Sequence, residues 1–258
     1  MSDRPSHHDA EPRAGSAFVR PGERVDDLQR DGMTILQRPD AFRFGTDAVL
    51  LADFAPLRPR DRVADLGTGT GVLCLLMAAR ERTSEFDAIE LQDDMADMAR
   101  RSVAMNGLTG RIRVHALDMR LAARTLGYSG HALVVCNPPY SPAGTALPSA
   151  DESIRRSRHA ELPIEDVALS GAQLLKNGGR MALIYPAARA LELMRALEGA
   201  RLAPKRIRIV QDRPGAKPKL ILLDAVKGGR SMLHWLPPLI LRDEDGRFSL
   251  EWHRIYDA

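Results

Sequence analysis

From Arg62 to Val226 the chain alternates two hydrophobic periods, and no other feature narrows the choice of fold so far. Runs of strand character at Arg62–Leu66, Phe86–Leu91, Ile112–Ala116, Ala132–Cys136 and Met181–Tyr185 take turns with segments of helical spacing. Those segments are Val72–Arg80, Asp93–Met105, Pro163–Lys176 and Ala187–Leu197. Strands that alternate with helices pair in parallel, because each helix carries the chain back across a sheet face. The pattern predicts an α/β fold, a mostly parallel sheet with right-handed crossovers and helices on both faces. Asn106-Gly107 closes one helix, and Asn177-Gly178-Gly179 closes the helix that opens at Pro163. Arg206–Gln211 and Leu220–Val226 have no helix between them, so they pair as an antiparallel hairpin at the sheet's edge and bring the strand count to seven.

The flanks read differently. Residues 1–25 mix Pro, Ser, His, Gly and charges of both signs without periodicity, and they are expected to form a mobile arm with His7 and His8 solvated. The folded unit is expected to span residues 26–230. Asp31–Arg38 is a short β-like run that pairs with what precedes it, and Thr46 or Asp47 is placed to cap a helix whose Val49, Leu50 and Phe54 share a face. Residues 231–258 form an extension packed on the same unit, with apolar runs around Leu239–Leu241 and Phe248–Trp252 that the pattern does not place.

A chain of 258 residues, 44% apolar and 28% charged, has the length and composition to bury a sizeable core. No run approaches the roughly 18 apolar residues of a membrane span, and the polar start lacks a signal-peptide pattern, so a cytoplasmic protein is expected. The two cysteines, Cys74 and Cys136, sit inside apolar stretches with no C-x-x-C or histidine at metal spacing. They read as reduced core thiols, and no metal is called for. The net charge of +3 conceals a concentration: Arg201–Arg230 holds nine basic residues against two acidic ones. That stripe is the footprint expected for a polyanion, though a solvated strand face would look similar.

The chemistry-bearing residues fall at the ends of successive strands. Asp65-Leu66-Gly67-Thr68-Gly69-Thr70-Gly71 follows the first parallel strand, with glycines at every second position so that backbone can pass close to a ligand. Its third glycine comes earlier than in the dinucleotide G-x-G-x-x-G, and the leading acid suits a cationic ligand better than a pyrophosphate. Glu90 closes the second strand, where a carboxylate accepts both hydroxyls of a ribose; Asp118, just past the third, is placed for a purine's exocyclic amine. At the fourth, an apolar run stops at Asn137-Pro138-Pro139-Tyr140. An amide, a carbonyl and an aromatic face at that edge suit a planar group bearing an NH2; the plain alternative is a strand-ending turn.

This series resembles the Rossmann-like class I S-adenosylmethionine-dependent methyltransferases from about Arg62 to Val226, and N-P-P-Y is similar to the motif of those that methylate amino groups. The resemblance implies a seven-stranded, mostly parallel sheet with an antiparallel edge hairpin. It also implies S-adenosylmethionine as cofactor, with Gly67, Gly69 and Gly71 at its methionine part, Glu90 at its ribose and Asp118 at its adenine, and with Asp65, Thr68, Leu91, Met119 and Asn137 among the residues that bind it. More finely, residues 39–54, the N-P-P-Y, an Arg-His pair after it and the Arg213–Gly229 segment look like the bacterial tRNA(Val) adenine-N6 methyltransferases, from roughly Leu28 to Gly229. That likeness implies Phe44, Gly45 and Thr46 at the cofactor's methionine end. The chain departs from the family where Arg158-His159-Ala160 places Glu161 one position late, so His159 reads as a surface histidine.

The implied chemistry is direct transfer at an adenine N6. Asn137, Pro138, Pro139 and Tyr140 form the acceptor site: the Asn137 oxygen and Pro138 carbonyl draw on the amine's hydrogens while Tyr140 stacks on the base. Arg213, Lys217, Lys219 and Lys227 are expected to hold phosphates of a tRNA or other structured RNA, with no membrane partner. The alternatives are a guanine N2 in ribosomal RNA, a DNA adenine, a protein glutamine, or a cofactor- and RNA-binding protein without catalysis. The glycine spacing argues against a dinucleotide oxidoreductase.

Overall fold

The computed structural model describes residues 16–38, 45–138, 162–230 and 232–256. It begins with a short helical turn at Ser16–Phe18 and an antiparallel ribbon of β1 (Arg24–Asp27) and β2 (Thr34–Gln37), the small hairpin expected there. Helix α1 (Thr46–Phe54) leads into the alternating unit: β3 (Arg62–Leu66), α2 (Val72–Arg80), β4 (Glu85–Glu90), α3 (Asp93–Met105), β5 (Ile112–Ala116), α4 (Ala122–Leu126) and β6 (His131–Cys136). After residues 139–161 come α5 (Ile164–Leu174), β7 (Leu175–Pro186), α6 (Ala190–Gly199), β8 (Leu202–Gln211) and β9 (Leu220–Lys227). Two short strands, β10 (His234–Trp235) and β11 (Leu239–Ile240), and helix α7 (Leu250–Tyr256) end the described chain.

The sheet runs β5-β4-β3-β6-β7-β9-β8-β10, with β11 also on β8, so it has nine strands rather than the seven expected. The hairpin is not its edge. Strand β9 is inserted antiparallel between β7 and β8, and β10 and β11 pair in parallel with the outer side of β8. Without them β8 would present a long row of unpaired N–H and C=O groups, and covering such an edge is the usual protection. The two strands are two residues each, too short to leave a period in the sequence.

Two local expectations are corrected. Helix α5 stops at Leu174, and Asn177-Gly178-Gly179 lies within β7 as a bulge against β6, where pairing jumps from His131↔Leu175 to Leu133↔Arg180. A Cβ on Gly179 would meet the carbonyl oxygen of Lys176 at 2.8 Å, so the close approach, not a helix stop, explains that glycine. Gly45, in extended conformation, occupies the N-cap of α1 without a side-chain bond. Thr46 Oγ1 points to Asp47 Oδ1 (3.3 Å) instead of capping, since both residues are already helical.

Both sheet faces are covered. Val63, Phe86 and Leu133 pack with α1, α2 and α7, while Ala64, Leu66 and Ile89 pack with α4, α5 and α6. Arg80, at the end of α2, donates to the carbonyls of Asp53 and Ala55 (2.7 Å each), so the last turn of α1 meets the strands' amino edge and Gly45 and Thr46 lie toward the carboxyl edge. Residues 16–25, assigned to the arm on composition, are tied to α3: Arg101 donates to both oxygens of Glu23 (2.6 Å each) and to the Phe18 carbonyl.

Candidate active site

Strand β3 lies between β4, reached by the chain next, and β6, reached only after β4 and β5. This is the switch point at whose carboxyl edge open α/β sheets form a crevice. Pairing between β3 and β6 ends at Asp65↔Val135. One residue further, the Cys136 thiol donates to the Leu66 carbonyl at 3.0 Å, so a side chain ties the strand entering the glycine loop to the strand entering Asn137.

The loop is built to bring backbone near a ligand. Gly67, Gly69 and Gly71 have φ of 74°, 58° and 91°, values that L side chains adopt only with strain. The N–H groups of Gly67 and Thr68 both donate to the Ile89 carbonyl (2.9 Å), and Gly69 N–H donates to Glu90 Oε2 (2.9 Å). Gln92 N–H takes Glu90 Oε1 (2.9 Å). Glu90 is thus held rigidly by one backbone bond per oxygen, and each oxygen keeps a further lone pair for a hydroxyl.

Asp65 is fully buried. Its Oδ2 accepts from Thr68 Oγ1 at 2.6 Å and lies 3.7 Å from Cys74 Sγ, but Oδ1 has no partner. Burial pushes its carboxyl up to about 7, against the opposing bonds from Thr68 and Cys74. A buried, orphaned carboxylate oxygen beside a positive-φ loop fits the α-ammonium end of an amino-acid-bearing cofactor such as S-adenosylmethionine. It is the wrong group for a pyrophosphate.

Met119 reaches the same loop, its Cε lying 3.7 Å from where a Cβ on Gly67 would be, and Leu91 is 61% exposed beside Glu90. Asp118 is already engaged. Its carboxylate caps the turn Met119–Leu121 by accepting from Arg120 N–H (2.9 Å) and pairs with the Arg120 guanidinium, which holds it below the usual carboxylate range. An adenine amine would share that carboxylate with Arg120. Three loop neighbours escaped sequence reasoning: Met95, whose Cε lies 3.8 Å from a Cβ position on Gly69, and the thiols of Cys74 and Cys136. Only the pairing of distant strands and helices reveals them.

Asn137 follows β6 half-buried, and Pro138 is buried. Phe44, Pro139, Tyr140 and His159 lie outside the described residues. The basic stripe divides. Because β9 is antiparallel to β7, its start is at the carboxyl edge, where the exposed Arg213, Lys217 and Lys219 occupy the β8–β9 loop. Lys227, expected on the same surface, is at the opposite end of β9, roughly 23 Å away at ~3.3 Å per residue. There its Nζ donates to the Leu175 carbonyl (2.7 Å). Arg206 and Arg208 are held by Asp224 and Glu251. Among the described residues no helix is long and apolar enough to cross a membrane.

Residues 39–200 match the family described as Methyltransferase small domain. The chain belongs to this family. It is an S-adenosylmethionine-dependent methyltransferase, and its relatives narrow the group. A protein of Tolumonas auensis named tRNA1(Val) (adenine(37)-N6)-methyltransferase is 32% identical over 84% of this chain and 89% of its own length. One of the same name from Porphyromonas gingivalis is 33% identical over 83% of this chain and 87% of its own. Among solved structures, one described as a predicted O-methyltransferase from Agrobacterium tumefaciens superposes with a TM-score of 0.68 at 27% identity, covering 82% of this chain and 95% of that one.

Proposed function

We propose that the protein transfers the methyl group of S-adenosylmethionine to N6 of adenosine 37 in tRNA1(Val), the reaction for which its curated relatives are named. The observation that carries the assignment is the Cys136–Leu66 bond, which joins an asparagine-proline elbow to a glycine loop at one switch point. When bound, the cofactor supplies an electrophilic methyl on a sulfonium. Asp65 Oδ1 and the glycine loop take its amino-acid end, Glu90 its ribose, and Leu91, Met95 and Met119 offer apolar contact to its adenine.

Asn137 and Pro138 act on the acceptor. An adenine amine is a weak nucleophile because its lone pair is delocalised into the ring. The Asn137 side-chain oxygen and the Pro138 carbonyl accept its two hydrogens and favour a tetrahedral, more nucleophilic nitrogen. The family resemblance gives Tyr140 the role of stacking on the base; with those acceptors it would set the line of attack, so that orientation supplies most of the rate. An anticodon-loop base is unpaired, so presenting it costs less than extruding one from a duplex. The test is incubation of the full chain with S-adenosylmethionine and transcribed tRNA1(Val), followed by mass spectrometry of the nucleosides. N6-methyladenosine from the wild-type transcript and none from its A37-to-G variant is the expected result; methyl label on guanine alone would overturn the acceptor.

A further inference from the structure

Helix α6 is apolar on two sides. Leu193, Ala196 and Leu197 are buried against the sheet, the ordinary inward face of a crossover helix. A second stripe lies at i, i+3, i+4 and i+7: Leu191, Arg195 and Glu198 are exposed, and Met194 between them is half-buried against the core's margin. With Pro204, Met232 and Leu233 this stripe lines an open groove of about 420 Å³. Leu191 is 61% exposed and Met232 64% exposed. Trp235, 66% exposed, lies on the same side of the sheet, since it pairs with Ile207 of the core beneath α6. Arg195 and Glu198, though one helical turn apart, have no ion-pair partner among the described residues.

We propose that this groove is the contact surface of a two-fold homodimer in which α6 packs antiparallel on α6 of a second copy. A two-fold interface must be complementary to itself. Opposing Arg195 with the partner copy's glutamate at the same position as Glu198, and the reverse, centres the axis between Ala196 and Leu197. That register carries Leu191 of each copy past the other's helix end, over its groove floor of Pro204, Met232 and Leu233. The protruding leucine, the groove and the two unpaired charges are all used, each twice. A polyanion would meet Glu198 and an apolar floor, so the groove does not suit nucleic acid. The dimer leaves the carboxyl edge open, because α6 lies across the sheet face and only its first turn approaches that edge.

Sedimentation equilibrium of the full chain between about 1 and 100 µM tests this. The wild type is expected to dimerise in that range. Arg195→Glu should raise the dimer dissociation constant at least roughly tenfold, and Arg195→Glu combined with Glu198→Arg should recover it to within about threefold. Leu191→Asp should be monomeric throughout with an unchanged circular dichroism spectrum. A wild type that stays monomeric at about 100 µM overturns the proposal, as does an Arg195→Glu dimer of wild-type strength or a double variant as weak as the single. Methyl transfer plays no part in these readouts.

Discussion

Replacing Asp65 by asparagine should change the pH dependence of stability in a direction that isolates this carboxylate. Its pKa is pushed up from 3.8 to about 7, chiefly by burial, so between those values the native state holds a proton that the unfolded chain has lost. Stability therefore falls as pH rises through that window, by about 1.4 kcal/mol per unit and about 4 kcal/mol in all by pH 8. The amide cannot ionise and escapes this loss. Its oxygen can keep the Thr68 bond, while its N–H2 inherits the unpartnered Oδ1 position at a cost of roughly 1–3 kcal/mol. The cofactor-free variant should then be less stable than wild type by roughly 1–3 kcal/mol at pH 4 and more stable by a similar amount at pH 8. Urea midpoints at five pH values, converted with a common slope, measure the difference. A difference constant to within about 0.5 kcal/mol from pH 4 to pH 8 would refute the reasoning, because it would mean that Asp65 ionises in the native state as it does in the unfolded chain.

Three further outcomes are expected. Asn137→Ala should abolish methyl transfer while calorimetric binding of the cofactor survives, since in the proposed mechanism the residue acts on the acceptor amine; undiminished turnover would count against the mechanism. Neutralising Lys217 and Lys219 to glutamine should weaken tRNA binding and reduce the slope of log affinity against log salt by roughly 0.7–0.9 per charge, whereas Lys227→Gln should leave the slope unchanged. Filter binding at several salt concentrations separates the two ends of β9. Cys136→Ala removes the donor to Leu66 and should lower stability by about 1–2 kcal/mol, with Cys136→Ser, which retains a donor, recovering part of it in the same urea titration.

What could be read in the chain was whatever depends on neighbours in sequence. The alternation of periods defines strands and crossover helices because burial on two faces or one is a local requirement, and β3, α2, α3 and β5 begin and end where the pattern places them. The glycine loop with Asp65, and Glu90 at its strand's end, were visible for the same reason: a left-handed backbone and a strand terminus are properties of a few consecutive residues. The C-terminal strands were not, since two residues carry no period. Asn177-Gly178-Gly179 misled, because the same residues serve a helix stop and a strand bulge, and only the crowding at Gly179 distinguishes them.

Tertiary structure decided which of these pieces meet. The Cys136 thiol looks like an ordinary core cysteine until β6 is laid beside β3; Asp118 looks free until Arg120 folds back on it; and the basic stripe looks continuous until the reversal of β9 sends Lys217 and Lys227 to opposite edges. Local spacing sets what each segment can become and which chemistry it can carry. Strand order and direction set which groups share a crevice, because those are fixed by burial and pairing between residues far apart in the chain.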